Sequence, residues 1–407
     1  EVKACANVRS ICCCRSWPRS NMTGAGSSSF GHDFLRLCHD NNGIDLHKLL
    51  QTTTGKQPAD ADLEGTKDDV VAKSIGLAWS AGATAEGLDA FLEALRQWAR
   101  RYLDRNDKVR WMLAPMLWMA ARPRQIAVEL DGKDSSRFRG KVVEELRIVF
   151  TKLHQDRARR EGALVICCEL LRLYRSLGQA SQCSFILTTV GNVWREDKFD
   201  PDRLPKSLLV TLYFLWGKHL VLEGKIVEAE AKLSRAFSLC PLKAAGNRQR
   251  ILTYLIPCRL RLGQYPSRGL LKRNGLLSLA GLVVATAAGD VRRFNEELVR
   301  QEAQLIALGT YLVTEKLKVV AYRNLARHVF EHQSEKLEAM QKFKQDFAPY
   351  ECAFRWQDDC SEDETLCLLA HLIYIGAVKG YLSDQRRKVV YSKENPFPAA
   401  STWASKA

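Results

Sequence analysis

Two groups of cations in this 407-residue chain are placed to meet polyanions. Residues 243–273 hold Lys243, Arg248, Arg250, Arg259, Arg261, Arg268, Lys272 and Arg273 without one Asp or Glu. Arg250 and Arg261 stand eleven positions apart, close to three helical turns, which predicts that they share a helix face with Tyr254 beside them. A cationic face with no acid to offset it repels itself until something acidic covers it. Arg250, Tyr254, Arg261, Arg268, Lys272 and Arg273 are therefore candidate contacts for an acidic partner; the bland alternative is a solvated face. The second group is Arg386, Arg387 and Lys388 in a polar turn, with Lys316, Arg323 and Arg327 spaced seven and four apart on one side of a helix. Long cationic side chains in such places suit phosphate contact without reading of bases.

Other chemistries find little support. No HExxH, GxSxG or His-x-His pattern occurs, and the eight histidines are scattered, so no catalytic residue is assigned and no enzyme is expected. Cys367 and His371, four apart on a helix, could ligate a metal with Cys352 and Cys360. The remaining spacings match no common zinc site, and a thiol beside an apolar stripe has a sufficient role in packing. Cys12-Cys13-Cys14 lacks the separation that ligands need. Thr54-Gly55-Lys56 lacks the first glycine of a phosphate loop. No cofactor and no metal are expected.

The formal charge of +15, from 61 Lys and Arg against 46 Asp and Glu, favours polyanionic partners, acidic protein or nucleic acid alike. Thirteen scattered cysteines in a chain of this length read as reduced thiols. The longest apolar run, 276–288, falls short of the ~20 residues that cross a bilayer and is expected to be a buried helix, with no membrane insertion. Residues 1–30 are basic, Ser-rich and poor in acids, and read as a disordered leader; organelle-targeting peptides share this composition. The chain opens on Glu1 rather than Met, which leaves the natural start open.

The elements that position these groups follow from pattern. Ser361-Glu362-Asp363-Glu364 is a capping box that starts a helix, with Leu366, Leu369, Ala370, Ile373 and Ala377 as its buried stripe. Gly380-Tyr381-Leu382 and Lys388-Val389-Val390-Tyr391 flank a polar turn as a hairpin. Upstream, 310–330 reads as a helix with Leu317, Val320, Leu325 and Val329 inward, and 336–347 as another. Three helices closed by a hairpin form a winged helix. Its recognition helix begins with Glu362, Asp363 and Glu364, which repel phosphates, so sequence-specific groove reading is not expected.

Before this unit the pattern is helical almost without interruption, at 88–103, 109–121, 138–154, 163–177 and 185–194, with a polar loop near 51–72. Tyr213, Trp216, Gly217, Leu220, Ala229, Leu233, Ala236 and Pro241 fall at the size-class positions of a 34-residue tetratricopeptide hairpin. The fold class expected is an all-α, tetratricopeptide-like helical-repeat solenoid ending in a winged helix. Its divisions are 1–30 leader, 31–203 N-terminal helical region, 204–308 repeat part, 309–398 winged helix and 399–407 tail.

Lys316-Leu317-Lys318, Tyr322-Arg323-Asn324-Leu325, Leu372-Ile373-Tyr374, Val378-Lys379-Gly380-Tyr381 and the terminal Ser392-Lys393-Glu394-Asn395-Pro396-Phe397-Pro398 closely resemble the PCI domain-containing protein 2 family over about residues 204–402. The resemblance implies a PCI domain in a subunit of a nuclear-pore-associated transcription and mRNA-export complex. It implies as partners a large scaffold subunit, whose own winged helix adjoins this one to make a nucleic-acid surface, and a small acidic disordered protein. RNA or DNA would then be bound without sequence preference. The alternative is a proteasome-lid or signalosome subunit that only assembles proteins. Arg323, inside the family-like motif, is open to a structural reading. Residues 346–360, with Tyr350, Phe354 and Trp356, read as an acidic loop longer than the family's usual connection.

Overall fold

The structure, a computed structural model, describes residues 30–52, 67–105, 109–132, 135–196, 204–338 and 341–404. The leader, Cys12-Cys13-Cys14, and most of the 51–72 loop lie outside the described residues. The chain divides into two compact units at Leu215 and Trp216.

The first unit is a succession of helices: α1 (Phe30–His39), α2 (Gly43–Thr52), α3 (Lys67–Ala81), α4 (Ala85–Asp104), α5 (Leu113–Asp131), α6 (Arg137–Gln155), α7 (Arg160–Ser176) and α8 (Ala180–Glu196). Neighbours in sequence pack as pairs, α3 on α4 and α6 on α7. Trp98 fills the interior and donates its indole N–H to the Met112 carbonyl at 3.1 Å. Buried Asp131 accepts the Phe138 and Arg139 backbone N–H groups at 2.9 Å, satisfying two donors that the start of α6 would otherwise orphan.

Helix α9 (Lys206–Leu222) carries the division, and the second unit continues with α10 (Ile226–Leu239), α11 (Ala245–Arg261), α12 (Arg268–Arg273), α13 (Ala280–Ala288), α14 (Val291–Leu308), α15 (Tyr311–Glu315) and α16 (Lys318–Lys336). The tetratricopeptide spacing is realised as a helical hairpin. A Cβ placed on Gly217 would lie 2.5 Å from Leu233 Cγ, so glycine permits the close approach of α9 to α10. Pro241 lies just past the end of α10. The apolar run at 276–288 forms a short 3-10 turn and α13, with Leu282, Val283 and Ala285 buried.

The chain closes with β1 (Lys344–Asp346), α17 (Ala348–Asp358), α18 (Glu362–Tyr374), β2 (Gly380–Ser383) and β3 (Lys388–Tyr391). The sheet is antiparallel in the order β1-β3-β2, a winged helix. The expected capping box is present in both directions, Glu364 N–H to Ser361 Oγ at 3.3 Å and Ser361 N–H to Glu364 Oε2 at 2.8 Å.

Three expectations are corrected. Among the described residues of 336–347 the expected helix is absent: α16 ends at Lys336 and the segment supplies β1, whose Gln345 is fully buried against β3. Residues 346–360 are not a long loop but mostly α17, started by Pro349 in its first turn and anchored by fully buried Tyr350 and Phe354. The buried stripe of α18 is Thr365, Leu369 and Leu372, while Ala370 is exposed, because the helix turns that face to α16 and α17.

Replacing Gly217 by Val should force apart helices that glycine lets touch and lower unfolding free energy by about 1–3 kcal/mol. Chemical denaturation measures this, and an unchanged midpoint would show that α9 and α10 have room to spare.

Candidate nucleic-acid and partner surfaces

The basic segment does not form one open stripe. Arg261 is 1% exposed, and its Nη1 donates to the Lys316 carbonyl at the end of α15. Burial disfavours the charged guanidinium and pulls its pKa down. Tyr254 is also buried, donating its hydroxyl to the Leu308 carbonyl at 2.6 Å. These two side chains are placed as structural contacts of the folded unit, which corrects the expectation that they share an open face with Arg250.

Others in the segment are engaged nearby. Arg248 reaches the Cys240 carbonyl at 3.0 Å and lies over the Phe237 ring. Arg259 pairs with Glu230 of α10 at 3.1 Å, so an acid distant in sequence offsets a charge that looked uncompensated. Arg250 is half-buried. Lys243, Arg268, Lys272 and Arg273 are exposed, and among the described residues none of these four forms an ion pair. The exposed charge therefore gathers at α12, where Ser267 caps the helix by accepting the Leu270 N–H.

In the winged helix the expected helix over 310–330 is broken after α15, so Lys316 caps α15 while Arg323 and Arg327 lie on α16, and the three do not share one helix side. Lys316 is exposed. Arg327 is exposed and pairs with Glu331 one turn on, at 2.7 Å. Arg323 turns inward: its Nη2 donates to the Phe397 and Pro398 carbonyls at 2.9 and 3.0 Å, its Nη1 to Asn324 Oδ1 at 2.9 Å, and its guanidinium lies 5.5 Å from the Phe397 ring centre. The guanidinium places Nη2 on two adjacent carbonyls and Nη1 on an amide oxygen at once, a spread of donors that the single nitrogen of lysine does not reproduce. Of the two readings of Arg323, the structural one describes its contacts. The Asn-Pro-Phe-Pro run is thus strapped to α16, with Phe397 against Phe330 and Tyr391.

The wing tip is open. A four-residue turn joins β2 to β3, closed by the Arg387 N–H to the Asp384 carbonyl at 2.9 Å, with Arg387 at φ 50°. Arg386, Arg387 and Lys388 are all exposed. Two of them have acidic neighbours that local spacing does not reveal. Arg387 pairs with Glu362 at the start of α18 and lies over the Phe347 ring, while Lys388 faces Asp346 of β1 at 3.5 Å. Arg386 forms no ion pair among the described residues. Exposed pairs of this kind contribute only about 0–1 kcal/mol, so a phosphate can displace the carboxylate.

The Cys and His candidates do not converge. Cys352 and Cys367 are exposed, Cys360 is buried beside Tyr322, and among the described residues no group of three His, Cys, Asp or Glu side chains could hold a metal ion. Exposure of Cys367 corrects its expected packing role. No helix among the described residues is long and apolar enough to cross a membrane.

No family model matches the chain. Enhanced ethylene response protein 5 of Arabidopsis thaliana is 31% identical over 320 residues, covering 76% of this chain and 73% of that protein. The PCI domain-containing protein 2 homolog of Drosophila melanogaster is 36% identical over 250 residues, 61% of this chain and 60% of its own length. The chain belongs to the PCI-domain protein family. It is also similar to the protein CSN12 homolog of Gibberella zeae, 32% identical over 270 residues, 62% of this chain and 59% of that one. The matches span about three-fifths of the length of the fly and Gibberella relatives.

Replacing Arg323 by Ala removes charge-assisted bonds to two carbonyls and should lower stability by about 2 kcal/mol. Amide exchange over residues 396–404 should rise with it, and Arg323→Lys should rescue little. Unchanged exchange there would mean that the ring contacts alone hold the strap.

Proposed function

We propose that this chain is a scaffold subunit of a nuclear, pore-associated mRNA-export complex. It binds a large scaffold subunit and a small acidic disordered protein, and its wing contributes a basic, sequence-nonspecific nucleic-acid surface. Similarity to PCI domain-containing protein 2 relatives supports the assignment. The observation that carries the nucleic-acid part is the exposure of Arg386, Arg387 and Lys388 together at one hairpin tip. The acidic start of α18 keeps that helix out of a groove, so the wing meets backbone and not base edges. Arg250 and the exposed Arg268, Lys272 and Arg273 are the proposed contacts for the acidic partner; Lys316 and Arg327 extend the phosphate surface.

A second reading, a PCI subunit of proteasome-lid or signalosome type acting only in protein assembly, is favoured by the pairing of Arg387 and Lys388 with acids of their own chain. The two readings predict opposite results in one assay. Nucleic-acid affinity of the assembled complex is measured against salt for the wild type, for Arg386→Ala with Arg387→Ala and Lys388→Ala, and for Glu362→Gln with Asp346→Asn. If all three cations hold phosphates of a single strand, the triple variant should lose about 2 from the salt slope, at ~0.7 per contact. The carboxylate variant, which frees the cations, should bind more tightly. Unchanged slopes and affinities in both would remove the wing from nucleic-acid binding and favour assembly alone.

A further inference from the structure

The pairing register of the wing sorts its side chains between two faces. Tyr381 of β2 stands opposite Val390 of β3, which stands opposite Lys344 of β1; the next row on that face is Ser383, Lys388 and Asp346. Side chains alternate along a strand, and the intervening Gln345, Val389 and Tyr391 are all buried. The face bearing Tyr381 is consequently the outer one. Tyr381 is 61% exposed, while Lys344 and Lys388 on the same face are exposed and Asp346 is engaged by Lys388. An uncovered aromatic on a sheet surface, with lysines in its own row and the next, combines a stacking surface with cations that track a phosphate backbone.

We propose that this outer face is a stacking platform for an unpaired base of a single-stranded nucleic acid, with Tyr381 as the stacking ring. The proposal rests on the phosphate-contact reading of the wing and adds the form of nucleic acid it takes. A duplex keeps the faces of its bases inside the stack and offers only phosphates and groove edges. Groove entry is opposed here by Glu362, Asp363 and Glu364 at the start of α18. A single strand offers base faces directly, and because every base has one, stacking is tolerant of sequence. The cations alone would hold either form; Tyr381 gives the wing a reason to prefer the open strand.

The test uses the full chain in its assembled complex, with a fluorescein-labelled oligothymidine strand, a duplex of equal length, and a single strand carrying 2-aminopurine. Tyr381 is exposed, so Tyr381→Ala should fold, which thermal melting verifies. That variant should bind the single strand about tenfold more weakly and the duplex within about twofold of wild type. Its salt slope should not change, because stacking releases no counterions. Tyr381→Phe, which keeps the ring, should retain both affinity and the quenching of 2-aminopurine that Tyr381→Ala abolishes. If Tyr381→Ala binds the single strand like wild type while the triple cation variant is impaired, the platform is wrong and the phosphate reading stands. If wild type binds neither form, the phosphate reading fails and the platform with it. Equal loss on both forms, or loss of a co-purifying protein from Tyr381→Ala, would assign Tyr381 to a protein contact and overturn the proposal.

Discussion

A buried arginine ties the helical repeats to the winged helix. Arg261 ends α11 at 1% exposure and donates to the carbonyl of Lys316 between α15 and α16, a bond that meets part of the cost of burying the guanidinium. Other contacts repeat the tie. Tyr254 of α11 bonds the end of α14, and Asn324 of α16 donates to the Thr286 carbonyl at 2.8 Å and to the Tyr265 hydroxyl at 3.0 Å. Gly289, at φ 66°, brings the turn after α13 so near α16 that an added Cβ would meet the Leu325 nitrogen at 2.5 Å. The repeat hairpins and the winged helix are therefore one packed body, and the cations of α12 and the wing are carried on a common frame.

That frame decides which charges face outward. A net charge of +15 suggests a broad basic surface, yet Arg261 and Arg323 go into packing and strapping, and Arg259, Arg327, Arg387 and Lys388 have carboxylates in reach. Of the cations singled out in the sequence, Lys243, Arg268, Lys272, Arg273, Lys316 and Arg386 stay open among the described residues, three of them on one short helix and one at a hairpin tip. Under the proposed function, opposite charge held loosely beside the wing cations would make phosphate binding an exchange of partners, sensitive to salt and to the acids as well as the bases.

The parts legible in the sequence are those set by local chemistry. Ser361 and Glu364 declare their cap three residues apart, and the hairpin at 380–391 shows its turn between two β-rich runs. Gly217 and Leu233 fall at repeat positions that the fold brings into contact. Strand β1 was hidden because three residues mean little until β3, more than forty positions later, pairs with them. Helix α17 was masked by its acids and aromatics, although Ala348-Pro349 held a usable start signal. For the surfaces, exposure could be read at the wing tip, where a turn must be outside. It could not be read for Arg261 or Tyr254, whose burial depends on α14 and α15 arriving from fifty residues away. The acids beside Arg387, Lys388 and Arg259 were likewise distant in sequence.

The central claim is that the repeats and the winged helix of residues 216–407 form a single cooperative body. Native-state hydrogen exchange of the full chain under increasing urea tests it most directly, because each amide then reports the free energy of the opening that exposes it. The slowest amides of α11 and α13 should converge with those of α16 and α18 on one unfolding free energy and one urea dependence. Two separate plateaus, with the winged helix opening while α11 and α13 remain protected, would contradict it.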